Sequence, residues 1–200
     1  MDIILASGSP RRRELLQTLG IRSFRVLVSS FDESSVGQLP PAELVRRLAA
    51  GKAAAVAAEV GEESLVIAAD TVVALEEAVL GKPTDGAEAK AMLTALSGNT
   101  HRVYTGVTVR QGSRVDTRSV CTQVTFRPLT PEEIDLYVRT GESLDKAGAY
   151  GIQGYGAQLV EGICGDYFNV MGLPLCTLAE MLRSFGLDPM ALAAGQEVEA

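Results

Sequence analysis

Asp70 stands between two apolar runs, Leu65-Val66-Ile67-Ala68-Ala69 and Val72-Val73-Ala74-Leu75. A carboxylate in such a setting is costly to bury unless it is paired, hydrogen-bonded or bound to a metal. It is therefore either a structural hydrogen-bonding group or, the stronger reading, a functional one. The opposite charge is concentrated at Arg11, Arg12 and Arg13, just after Ser9-Pro10. Ser9 suits an N-cap and Pro10 the first helical position, so the three arginines fall where the helix dipole is already positive. A bound anion would remove that conflict, since backbone N–H groups and guanidinium forks both suit phosphate oxygens. The plainer alternative is that the arginines are solvated or paired with acids such as Glu14. Lys52, Lys82 and the loop acids Asp32 and Glu33 complete a set suited to metal-assisted hydrolysis of a polyphosphate. In such chemistry cations hold the oxygens, carboxylates hold a divalent metal, and one carboxylate orients or deprotonates water.

Composition narrows the field. Two hundred residues with 46% hydrophobic and 22% charged content suit one soluble globular domain, or one with two lobes. No apolar run nears the roughly 20 residues needed to span a bilayer, which argues against a membrane protein. Met1-Asp2 lacks the basic-then-apolar layout of a signal peptide, so a cytoplasmic location is the default expectation. A net charge of −7 argues against sequence-independent nucleic-acid binding, while leaving room for a small phosphorylated ligand on a local basic cluster. Cys121, Cys164 and Cys176 are widely spaced and free of CxxC pairs, which predicts reduced thiols in a core. The single histidine, His101, lies beside a predicted strand start and reads as a structural or surface residue.

The elements that must position these residues follow from periodicity and caps. A strand over Ile3 to Leu5 leads into the first helix, which Gly20 closes. A strand near Phe24 to Val28 precedes the polar stretch holding Asp32 and Glu33. Pro40-Pro41 opens a helix to about Ala58, with Leu44, Leu48, Ala55 and Val56 as its apolar stripe. Lys52 falls on that stripe, either snorkelling out or pointing into a cleft at a phosphate. The run ending at Ala69 reads as a fully buried strand. Lys82, in the turn Gly81-Lys82-Pro83, is an exposed loop lysine or a second phosphate contact. Asp85 with Glu88 resembles a capping box for a helix carrying Ala89, Met92, Leu93 and Leu96. Two long strands, about Arg102 to Val109 and Val115 to Phe126, form an antiparallel pair. Thr130-Pro131-Glu132-Glu133 is a strong helix start. The glycines of Asp145 to Gly156 (DKAGAYGIQGYG) permit close approach to a ligand, although their spacing is not a dinucleotide fingerprint. Strands near Gln158 to Ile163 and Tyr167 to Met171 and a helix from Pro174 to Phe185 complete the chain.

Several spaced segments together resemble the Maf family of nucleoside triphosphate pyrophosphatases, up to about Phe185. They are ASGSPRRRELL from Ala6, LAAGKA from Leu48, AADTVV from Ala68, GKP from Gly81, LSGNTHRVYTGV from Leu96 and DKAGAYGIQG from Asp145. The resemblance implies a Maf/ITPase-like α/β fold: a mixed twisted sheet with flanking helices and two lobes around a central cleft. The family domain would span 1–186, leaving 187–200 as a frayed tail. It further implies cleavage of the α–β phosphoanhydride to a monophosphate and pyrophosphate with a divalent metal, Mg²⁺ or Mn²⁺, and often a homodimer. Carried onto this chain, Asp70 matches the family's proton acceptor and, with Glu33, a candidate metal ligand. Ser7, Arg11, Arg12, Lys52 and Lys82 match phosphate-handling positions. The Gly-rich segment is similar to the branch acting on dTTP and UTP, with Arg11, Thr71 and Gln153 at the positions tied to that choice. The alternatives are the sister branch acting on 7-methyl-GTP and, from another class, a nucleotide-binding regulator of septum formation.

Overall fold

Three apolar residues, Ile3–Leu5, form β1, which is hydrogen-bonded in parallel to a strand on either side and buried along its length. The computed structural model that places it describes residues 1–195. After β1 come helix α1 (Pro10–Thr18), the short strand β2 (Arg25–Val26) and helix α2 (Pro41–Ala57). Strand β3 (Leu65–Leu75) turns back at Glu76-Glu77 into β4 (Ala78–Leu80), and helix α3 (Gly86–Leu96) follows. Two long strands, β5 (Thr100–Gln111) and β6 (Arg114–Phe126), lead to helix α4 (Pro131–Arg139) and strand β7 (Val160–Cys164). Helices α5 (Tyr167–Met171), α6 (Leu175–Ser184) and α7 (Pro189–Ala193) close the described chain.

The seven strands make one mixed sheet in the order β2-β1-β3-β5-β6-β7, with β4 antiparallel on β3 and β7 antiparallel on β6. The fold is α/β, with a mixed sheet and flanking helices as the family resemblance implies. Two compact units divide the residues: 1–70, 105–120 and 172 onward form the first, 71–104 and 121–171 the second. In the first, α2 lays Ala53 and Val56 against Ile4, Ala6, Val66 and Ala68 of the sheet. That contact explains Gly106 on β5, because a Cβ there would collide with the Val45 carbonyl of α2. In the second, α3 and α4 cover Val103, Val124 and Phe126.

The capping signals hold with refinements. Thr130 and Glu133 form the complete reciprocal box. Asp85 accepts from the Glu88 N–H at 2.8 Å, while the Glu88 carboxylate turns to Thr84. Ser9 occupies the N-cap position of α1, yet its side chain makes no capping bond.

Two expectations are corrected. Tyr167–Met171 is a helix, not a strand, because the Asp166 carboxylate accepts from the N–H groups of Phe168 (2.8 Å) and Asn169 (3.2 Å) and starts a helical turn. The three cysteines are all exposed. Cys121 has the strand parity of exposed Gln123, while Thr122 and Val124 point inward, and Cys164 lies across from Gln123 on the terminal strand β7. Of the segment 187–200, Leu187 is fully buried and Asp188 caps α7 through the Met190 N–H, while 196–200 lie outside the described residues. Among the described residues no helix is long and apolar enough to cross a membrane.

His101 is structural. It is buried edge-on to Phe126 and Tyr150, and its Nε2 lies 2.7 Å from the Tyr150 hydroxyl. Desolvation pulls its pKa down to about 4. The folded protein therefore holds it neutral where the unfolded chain begins to bind a proton, so stability falls as pH drops from the unfolded value through the folded one.

Two measurements check this packing. Gly106→Ala is expected to cost about 2–3 kcal/mol, seen as a lowered melting temperature, because the obstacle is helix backbone and not a movable side chain. As the chain has one histidine, its imidazole resonances are unambiguous. They are expected to show no inflection between about pH 5.5 and 8 in the folded protein.

Candidate active site

Every strong contact in the first unit's site radiates from the C-terminal side of β1 and the Asp70 position of β3. β1 pairing continues one residue beyond the strand, with the Ala6 N–H donating to the Ile67 carbonyl at 2.8 Å. Ser7 follows, buried, and its hydroxyl accepts from the Ser9 N–H at 3.3 Å and from Arg12 Nη1 at 3.2 Å. The Arg12 Nε donates to the Gly172 carbonyl at 2.8 Å, so the guanidinium is held in place from both ends. Burial lowers the Arg12 pKa, and neighbouring Arg11 adds to that, while Asp70 and Glu33 favour the charged form. Guanidinium nevertheless remains protonated at any physiological pH. Arg11 is half-buried and Arg13 exposed.

Lys52 decides between its two sequence readings. Its side chain is only 15% exposed, and Nζ lies 2.5 Å from Asp70 Oδ1 and 2.9 Å from Glu33 Oε1. It does not snorkel. One ammonium thus gathers carboxylates from β3 and from the loop before α2. Asp70 is 9% exposed, whereas the Glu33 side chain is 57% exposed. Asp32, its neighbour, plays a local part by accepting from Ser34 at the start of a short 3-10 turn, Glu33–Ser35. Those hydrogen bonds hold the Asp32 carboxyl below its usual pKa.

What carries Glu33 to Lys52 is a contact that the apolar-stripe reading missed. A Cβ on Gly51, in the interior of α2, would run into the ring of Phe31. The bare glycine lets that ring lie on the helix, two residues before Glu33 and one before Lys52 in α2. A glycine inside a helical pattern was the available signal, since it costs about 1 kcal/mol relative to alanine unless packing requires it.

The second unit holds Thr71, Lys82 and Gln153. Thr71 is half-buried on β3, and Lys82 and Gln153 are exposed. Their loops meet where the Gly148 N–H donates to the Gly81 carbonyl at 3.0 Å. Gly148 has φ +69°, and a Cβ on it would press on Val73. Ala149, also left-handed at φ 60°, is fully buried, a strained backbone of the kind found near functional loops. Glu142, which the sequence reading did not single out, is the anchor of this loop. Its carboxylate accepts from the Tyr155 N–H (3.0 Å), the Gly156 N–H (3.0 Å) and the Tyr137 hydroxyl (2.9 Å). The Tyr137 oxygen in turn accepts from the Gly151 N–H at 3.2 Å. Gln153 therefore sits on a stretch pinned on both sides. Burial raises the Tyr137 pKa, keeping the phenol protonated.

A divalent cation fits the first unit's acids in a limited way. Glu33 and Asp70 each aim an oxygen at one point, but among the described residues no group of three or more His, Cys, Asp or Glu side chains gathers. Two carboxylates alone suit a Mg²⁺-type ion that completes its shell with water and substrate phosphates.

Comparison with known proteins matches the sequence to a family. Residues 2–185 fit the model of Maf-like proteins. The chain belongs to the Maf family. It is 56% identical to a dTTP/UTP pyrophosphatase of Moorella thermoacetica over 188 residues, covering 93% of this chain and 96% of that protein. It is 52% identical to a dTTP/UTP pyrophosphatase of Bacillus cytotoxicus over 182 residues, covering 91% and 94%. Among solved structures, a HAM1 protein from Coxiella burnetii superposes with a TM-score of 0.51 at 14% identity, covering 92% of this chain and 99% of that one. That distant likeness concerns the fold alone, a sheet scaffold this Maf chain shares.

The Phe31–Gly51 contact makes a testable demand. In a crystal structure of Gly51→Ala, Phe31 is expected to leave the helix and Glu33 to move beyond ion-pair reach of Lys52. The melting temperature should not fall much, because α2 gains about 1 kcal/mol of helix propensity.

Proposed function

We propose that this Maf protein hydrolyses dTTP and UTP, together with modified pyrimidine triphosphates, to the nucleoside monophosphate and pyrophosphate. The observation that carries the reading is the buried Asp70 held by Lys52 beside an arginine fixed on Ser7. The relatives' dTTP/UTP activity supports it at 50–56% identity over nearly the whole chain.

In this reading Arg12, Ser7 and the start of α1 receive phosphate oxygens. The α1 N-terminus carries no side-chain cap, so its positive dipole end is left for an anion. Arg11 and Lys82 add charge to the same task. Asp70 takes a proton from a water molecule as its oxygen forms a bond to the α-phosphorus. The α–β P–O bond breaks, and its electron pair departs with pyrophosphate. Lys52 pairs with Asp70 and keeps its carboxylate aimed, as a group that accepts a proton must be. Glu33 and Asp70 would hold a divalent cation, Mg²⁺ or Mn²⁺, which when bound neutralises charge on the phosphate oxygens.

Base choice falls to Arg11, Thr71 and Gln153. An amide offers a donor and an acceptor side by side, which matches the edge of a uracil or thymine ring. A site built to satisfy such a pair rejects a base that leaves it unpaired. The Glu142 anchor holds the Gln153 loop in one shape and spares the entropy of ordering it on binding.

Pyrophosphate release over a nucleotide panel, with Mg²⁺ or Mn²⁺, tests this directly. UTP and dTTP are expected to outpace 7-methyl-GTP and unmodified purine triphosphates. Asp70→Asn should lower kcat by about 10²–10⁴-fold without loss of folded structure. Near-full turnover by that variant would remove Asp70 from the chemistry, and faster 7-methyl-GTP cleavage would move the chain to the sister branch.

A further inference from the structure

The position where a divalent cation would meet both carboxylates is already held by a positive charge of the protein itself. Lys52 Nζ is within ion-pair distance of one oxygen of Glu33 and one of Asp70. Three features of the site set its response to an arriving cation. First, Glu33 and Asp70 already face positive charge from Lys52, with which both pair, and from Arg12, which feels both acids and neighbouring Arg11. A bare divalent ion would add two uncompensated charges to a partly buried site, where like charges repel more strongly than in water. Second, the protein supplies two carboxylates and no further cluster of ligating side chains among the described residues. An ion entering alone gains few ligands for displacing the ammonium. Third, Glu33 is placed by the Phe31 ring on Gly51. Its position does not depend on Lys52 alone, so the acids can stay while the lysine leaves.

A triphosphate changes each of these terms. It brings negative charge, oxygen ligands for the metal and a new acceptor for the ammonium, which rides on a flexible four-carbon stem. We propose that Lys52 is a stand-in counter-ion: it occupies the cation position in the free protein and passes to a phosphate oxygen when nucleotide and metal arrive together. Metal and triphosphate then load as a pair, and the free protein is protected from carrying metal alone. The inference rests on the triphosphate reading above, yet its central measurement needs no turnover.

Mn²⁺ binding, followed by the electron paramagnetic resonance of free Mn²⁺, provides the test. It would be run on wild type, Lys52→Met and Arg13→Met, with and without a UTP analogue bearing a methylene in place of the α–β bridging oxygen. Mn²⁺ binding by the analogue alone is measured separately and subtracted. Wild type is expected to bind Mn²⁺ weakly by itself and at least about tenfold more tightly with the analogue, within the usual range of coupling between ligands. Without nucleotide, Lys52→Met is expected to bind Mn²⁺ about tenfold or more tightly than wild type, because the competing charge is gone. The exposed Arg13→Met, which removes equal charge nearby, should change little. An equal gain in Arg13→Met, or none in folded Lys52→Met, would overturn the proposal. Absence of analogue-dependent tightening in wild type would overturn it as well, and that arm decides the matter even if Lys52→Met does not fold. A gain of Mn²⁺ affinity in Lys52→Met alongside no pyrophosphate release by wild type from any nucleotide would instead sink the functional reading and leave the counter-ion role standing.

Discussion

One ammonium between two carboxylates governs this site. Without Lys52, Asp70 would be an acid at the middle of a buried apolar strand, and isolated charges do not persist in such places. With it, the acid is paired and oriented, and a second acid is drawn onto the same point. The pair is not a simple source of stability, since desolvating two charges offsets much of their attraction. Its effect is to fix where both carboxylates point, and the surrounding elements make sense as means to that end. α2 carries Lys52, β3 carries Asp70, and a bare glycine on α2 lets a phenylalanine bring down the loop with Glu33.

The second unit holds its loop by hydrogen bonds to the backbone and, among the described residues, makes no ion pair at Glu142. The loop that carries exposed Gln153 keeps one shape without being buried. Glu142 and Tyr137 provide that shape by taking up backbone N–H groups at Gly151, Tyr155 and Gly156. The cost is concentrated at Gly148 and Ala149, where the chain turns left-handed under Val73. Below the loop, His101, Phe126 and Tyr150 meet edge to face, giving it a floor with little freedom to repack.

Much of the fold was legible along the chain. The buried run before Asp70, the Thr130 box and the faces of α3 and α6 follow from local rules of period and cap, which depend on near neighbours only. The helix at Tyr167–Met171 was misread because its apolar residues also fit a short strand, and the deciding feature, Asp166 as a cap, is weak in isolation. The cysteines were misplaced for a related reason. Hydrophobicity alone favours burial, but strand parity set Cys121 outward, and parity needs the register of the sheet.

For function, residue types were informative and contacts were not. Arginines at a helix start, an acid interrupting an apolar strand and a glycine-spaced loop pointed by themselves to phosphate chemistry, because each breaks a rule that only a ligand or partner repairs. Whether Lys52 faced solvent or acid stayed open in the sequence, as did the role of Glu142. Both depend on groups brought together from distant parts of the chain: Lys52 meets Asp70 across 18 positions and Glu142 meets Gly156 across 14. Local chemistry chose the actors; tertiary packing chose their partners, since charge pairing is set by distance in space and sequence spacing does not encode it.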